Sequence, residues 1–245
     1  MRHPIVAGIS VAVFCIVTTA VASATDPPLK VLRHLSFDVT VDVESKTETK
    51  VAGFDGATSG TASDDTGSTA THGTIVVDVV GATADGGLVV DVSEDAANRR
   101  ALPVRVGITD KALFYDPSRT VTEEERRLLH FLARDFVKPG ELAPGSTWVD
   151  DMSAANVSDR ATYKVTTVDA DAKTIGLDVV EDTTATGPSG YVTRSLGTLT
   201  YDTGVLVPQS VTMSSRTNIQ QGLGRLTTVD TKLTFALRDD SFRKK

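Results

Sequence analysis

Ser36-Phe37-Asp38-Val39-Thr40-Val41-Asp42-Val43-Glu44 alternates apolar and polar side chains without a break. In an extended chain successive side chains point to opposite faces, so residues 36–44 form a strand with one apolar and one wet face. The alternation continues in polar form through Lys46, Glu48 and Lys50, which predicts a long, bent strand whose far end leaves the core. Similar signals recur at Ile75–Val80, Leu88–Val92, Val104–Ile108 and Leu113–Tyr115. Downstream they return around Ala161–Thr167, Ile175–Val179, Tyr191–Tyr201, Val205–Thr217 and Leu223–Arg238.

The connections point to hairpins. Ala84-Asp85-Gly86-Gly87 joins two strands through residues that tolerate positive φ, and Thr109-Asp110-Lys111 and Asp169 to Lys173 read as further turns. Residues 53–73 are nearly all Gly, Ala, Ser, Thr and Asp, with Phe54 as the one large apolar side chain, and predict a flexible loop. The period changes once. Thr120 and Thr122 each precede a Glu by three residues, forming two candidate capping boxes, and Leu128, Leu129, Phe131, Leu132 and Phe136 follow at helical spacing until Pro139-Gly140. One amphipathic helix over 122–137 is expected, so the fold class is mainly β: a curved antiparallel meander of about ten strands, a half-barrel or open barrel, with that helix on its concave side.

The opening segment is of another kind. Arg2 and His3 precede an uncharged run from Ile5 to Ala22, and Ala22-Ser23-Ala24 supplies the small residues that signal peptidase reads. Residues 1–24 are therefore expected to be a signal peptide cleaved after Ala24, leaving 25–245 as a single β-rich domain, periplasmic or extracellular. The alternatives are an uncleaved membrane anchor and a lipid on Cys15, but Phe14 stands where a lipidation site needs a small residue. Cys15 is the only cysteine and leaves with the leader, so neither a disulfide nor a thiolate nucleophile is expected in the mature chain. The mature balance of 24 basic against 32 acidic residues, net −8, argues against nucleic acid as a partner, and no second apolar run is long enough to span a membrane.

Catalytic signals are weak. His34, His72 and His130 lack metal-ligand spacing, and the Asp169 to Lys173 run has Lys173, Thr174 and Val180 where a calcium loop needs an oxygen ligand, Gly and Glu. Gly187-Pro188-Ser189-Gly190 lacks the spacing of a serine elbow. The acidic doublets Asp64-Asp65, Asp150-Asp151, Glu181-Asp182 and Asp239-Asp240 read as solubility features. No enzyme activity, cofactor or metal is expected. Trp148 is expected to anchor the first strand after the helix against the core.

The leader, the Val- and Thr-rich strands and the interrupting helix resemble the half-barrel superfamily of bacterial envelope lipoprotein carriers, the LolA and LppX type. Pro144 to Trp148 and Gly197 to Pro208 are similar in texture to secreted bacterial β proteins. The carrier resemblance implies an apolar or acylated ligand held between sheet and helix, with envelope proteins as possible partners. In that reading Leu128, Phe131, Leu132 and Phe136 are the ligand-binding gate over Val39, Val41, Leu177, Val179, Val211, Met213, Leu233 and Phe235. In the alternative the same residues form the dry core of a non-catalytic structural or protein-interaction module, which close packing favours. An outer-membrane barrel is the third class, disfavoured by an aromatic content of 5%.

Overall fold

The computed structural model describes residues 30–50, 61–96, 99–109, 113–115, 121–138, 140, 142–151, 156–187, 190–221 and 225–243. The expected leader, with its expected cleavage site and Cys15, lies outside these residues. Eleven strands form one antiparallel sheet: β1 (Arg33–Lys50), β2 (Thr61–Ala82), β3 (Leu88–Ala96), β4 (Arg99–Ile108) and β5 (Leu113–Tyr115), then β6 (Thr147–Asp151), β7 (Val157–Asp169), β8 (Thr174–Ala185), β9 (Tyr191–Asp202), β10 (Val207–Gln221) and β11 (Arg225–Asp240). Helix α1 (Glu123–Phe131) stands between β5 and β6.

The lateral order is β5-β4-β3-β2-β1-β11-β10-β9-β8-β7-β6. This is two meanders joined back to back: β1 and β11, the first and last strands, pair at the centre, and the two edges are β5 and β6. The open sheet and, among the described residues, the single α-helix agree with the expected fold class, while the central junction replaces one continuous run of hairpins. The link from β5 to β6 must travel from one edge to the other, and α1 lies on that path.

Burial shows how the sheet is shaped. Ile75, Val77, Val90, Val92 and Val106 from one half, and Val165, Leu177, Leu199 and Tyr201 from the other, are at most 2% exposed and belong to one cluster with α1. A single short helix cannot shield the faces of so many strands. The two halves therefore curl toward each other around it, as a long twisted sheet must when its apolar face has no second layer. Each large apolar side chain so buried contributes about 1.5–3 kcal/mol.

Two expectations need correction. Of the segment 53–73, residues 61–73 belong to β2 and pair with β1 from Val39↔Gly73 to Lys50↔Thr61; residues 53–60 lie outside the described residues. The composition lacks apolar anchors, but the polar half of β1 supplies a complete hydrogen-bonding edge, and threonine suits an extended backbone. The helix is also shorter than 122–137: α1 stops at Phe131, and turns carry the chain on through Val137. Thr122 forms its capping box, accepting from the Glu125 backbone N–H at 3.1 Å and donating its own N–H to Glu125 Oε2 at 2.8 Å. Thr120 lies outside the described residues. The turn after β2 is as expected, with Gly86 at φ 86°.

The centre is fastened at one end by an ion pair. Arg33 Nε and Nη2 donate to the two oxygens of Asp240 at 3.0 and 2.7 Å, and the guanidinium lies 4.8 Å from the Phe242 ring centroid. Burial disfavours the Asp240 carboxylate, but hydrogen bonds from Arg33 and the Phe242 N–H, with the charges of Arg33 and Arg243, together outweigh it and hold its pKa below the ordinary aspartate value. No helix among the described residues is long and apolar enough to cross a membrane.

Candidate ligand-binding cleft

The pairing register sorts the inner face of the sheet into ranks that run across the strands. Val39, Phe235, Val211, Leu199, Leu177 and Val165 form one rank, all apolar and all buried. The next holds Val41, Leu233, Met213, Gly197, Val179 and Tyr163. A Cβ on Gly197 would meet Thr212 O at 2.5 Å and Met213 Cγ at 2.7 Å, so the glycine makes room for the methionine. Beyond these the chemistry changes. The third rank joins Val43 and Ala161 to Thr231, Ser215, Ser195 and Glu181, and the fourth joins Val229 to Thr217, Thr193, Thr183 and Asp159.

The helix lies across this gradient. Its C-terminal half and the turns after it fill the apolar end: Leu128, Phe131, Leu132 and Phe136 are between 0% and 4% exposed. Phe136 sits among Phe131, Tyr163 and Tyr201 with ring centroids 5.1 to 5.2 Å away, and Trp148 stacks on Tyr163 at 5.3 Å. Its N-terminal half meets the polar ranks. Arg127 pairs with Glu181 at 2.8 Å and brings Nη1 to 3.7 Å from Met213 Sδ, while Arg126 reaches Asp159 at 3.7 Å. Glu123 receives both Arg126 Nε and Nη2, at 2.9 and 2.7 Å. That hydrogen-bonded pair raises the Arg126 pKa above its ordinary value. Burial raises the pKa of Glu181, against the opposing effect of Arg127, and drives that of Tyr163 well up.

Where the helix begins, the trough opens. A cleft of about 520 Å³ is bordered by Val41, Leu233, Ile219, Val157 and Tyr191, by the hydroxyls of the polar ranks, and by Glu123, Glu124, Arg126 and Arg127. Thr193 and Thr217 hydrogen-bond each other at 2.8 Å, and Thr183 donates to Asp159 at 3.0 Å. The wall offers apolar contact along one side and hydroxyl and charged groups along the other. Such a mixture suits an amphipathic molecule.

No family model matches this chain, and no curated protein sequence does. Among solved structures, one described as lipid-protein interactions in lipovitellin is similar over 87% of this chain and 26% of its own, with 9% sequence identity and a TM-score of 0.47. The chain thus spans about a quarter of that protein's length.

None of the four expected gate residues borders the cleft; all belong to the core cluster. Of the expected cavity wall only Val41 and Leu233 reach it. The residues not foreseen are the charged ones. Glu181 and Asp150, members of doublets expected to serve solubility, point inward at 4% and 9% exposure. Glu181 was accessible to the period-two rule, since Leu177 and Val179 precede it on the same face. Burial works against the Asp150 carboxylate, but His130 Nε2 at 3.3 Å and Lys138 Nζ at 3.1 Å outweigh it and hold its pKa below the ordinary value. His130 is thus half-buried between the helix end and the β6 edge, near Phe136 and Tyr163. Trp148 packs against the core as expected.

Proposed function

We propose that this chain is an exported, non-catalytic binding protein that holds an amphipathic ligand at the open end of its half-barrel, while the helix permanently fills the other end. The observation that carries the reading is the 520 Å³ cleft, where Val41, Leu233, Ile219 and Val157 meet a polar wall. That volume falls within the range of small-molecule pockets, about 300–1,000 Å³. The ligand therefore sits beside the helix start rather than under its apolar face. The two arginines on the wall are occupied by Glu123 and Glu181, which favours a binding role over acid-base chemistry. Export rests on the leader at residues 1–24.

The test uses the chain beginning at Thr25 and the uncharged fluorophore N-phenyl-1-naphthylamine. Saturable fluorescence enhancement is expected, and Thr217→Trp, which places an indole in the cleft, should abolish it without unfolding the protein. The second reading, a structural or protein-interaction module, is favoured by the complete burial of Leu128 and Leu129, both 0% exposed. It prevails if the fluorophore fails to bind. Intact mass of protein collected from the producing cell's envelope tests the exported form, and a retained leader or a lipid on Cys15 overturns it.

A further inference from the structure

We infer that this chain self-associates through the free edge of β6, which pairs antiparallel with β6 of a second copy about a two-fold axis at Val149. Among the described residues β6 ends the sheet, and no strand covers its outer side. The turn before it decides which backbone groups face that side. Gly145, at φ 95°, donates its N–H to Val165 O at 2.8 Å, and Val165 N–H donates to Ser146 O at 2.9 Å, a bulge that starts the ladder. Bonded and non-bonded pairs alternate from there, so the N–H and C=O groups of Thr147 and Val149 point away from β7. The strand carries neither proline nor lysine to guard this edge, and its inward acid, Asp150, is held by His130 and Lys138.

The occupant follows from what the pairing register sets beside the edge. On the outer face one rank runs Val149, Thr162, Val180 and Leu196 across β6 to β9, with Val149 42% and Leu196 52% exposed. The rank on one side of it holds Thr147, Lys164 and Asp178, and the rank on the other holds Asp151, Arg160 and Asp182. A two-fold axis at Val149 reverses the second copy, so the apolar rank meets itself and the two charged ranks meet each other. The joined face then reads Asp178, Lys164 and Thr147, followed by Asp151, Arg160 and Asp182 of the second copy, with no like charges adjacent. On the inner face Trp148 stands opposite Asp150 of the second copy, again without a clash of charge. An edge that is complementary to itself in this way fits an isologous interface, and the argument stands apart from the ligand reading of the cleft.

A strand of 5 residues pairs over less than a standard stable interface, so the association is weak. Sedimentation should show the mass of the chain beginning at Thr25 rising from one copy toward two across the micromolar range. Residue 149 lies on the axis and faces its own counterpart, which makes its charge decisive. Val149→Lys and Val149→Glu should each stay monomeric where the parent chain pairs, and an equal mixture of the two should pair again. Val149→Pro, which removes an N–H that β7 does not use, should abolish pairing with the circular dichroism spectrum unchanged. A parent chain that stays monomeric overturns the inference and leaves an extended segment of another protein as the remaining occupant of the edge. Self-association that persists in Val149→Lys alone overturns it too, because the contact then lies elsewhere. A mixture that fails to pair, with both variants keeping the parent spectrum, overturns the axis at Val149.

Discussion

The two ends of the trough are built from the same strands and lie under the same helix, yet they are finished differently. At one end Val165, Leu177, Leu199, Val211 and Phe235 stand against Phe131, Leu132 and Phe136, with no polar side chain among them. A few residues along the same strands, Asp159, Glu181, Thr193, Ser215 and Thr231 take over the inward positions, and the space is only partly filled. The period-two rule places a side chain inward without fixing what it is. Apolar inward residues close a core, and inward threonines and carboxylates leave it open to water and to a ligand.

That contrast is sharpest in the response to truncation. Phe136→Ala at the filled end should cost about 3–5 kcal/mol, because five rings lean on Phe136 and cannot collapse into the space it leaves. Urea denaturation measures it; a loss under about 1 kcal/mol would mean that this end is not close-packed. Where the two ends meet, Arg127→Met should cost about 3 kcal/mol by leaving the Glu181 carboxylate buried without its partner. Adding Glu181→Gln to that variant should recover part of the loss.

The effects become smaller toward the helix start. Thr122→Ala removes one hydrogen bond of the capping box and should cost about 1 kcal/mol, read from the same denaturation curves. The carboxylates predict opposite slopes with pH. For Asp150, with its folded pKa depressed, the contribution is present above the unfolded value and is lost as pH falls through the folded value; Asp150→Asn should flatten the acid limb of a stability profile. Glu181 is raised, so its contribution is complete below the unfolded value and is lost as pH rises through the folded one. At the open end Thr217→Ala should change stability by no more than about 0.5 kcal/mol, and an effect as large as that of Phe136 would erase the distinction between the ends.

Much of the filled end was legible in the chain. Alternation from Phe37 to Val43 fixed which side chains turn inward, and Thr122 with Glu125 marked the helix start, because both signals depend on near neighbours. The open end was harder to see. Glu181-Asp182 has the composition of a surface doublet, and only the phase inherited from Leu177 and Val179 turns Glu181 inward. Arg126 and Arg127 carry no mark of their partners, since Asp159 and Glu181 lie on strands that reach them only after the sheet curls. Residues 61–73 have no apolar signature, and their pairing with β1 comes from backbone hydrogen bonds that side-chain patterns do not encode.

The pairing of β1 with β11 sets a timetable for folding. Phe37 finds Leu237, and Val41 finds Leu233, across nearly the whole described chain. Until Arg225–Asp240 has been synthesised, the early and late hairpins are separate ribbons with no common inner face, and each exposes a strand edge where the other belongs. Contacts so distant in sequence form slowly, because the intervening chain must first give up its freedom. A ribosome-bound chain therefore has no locked structure before its last strand emerges.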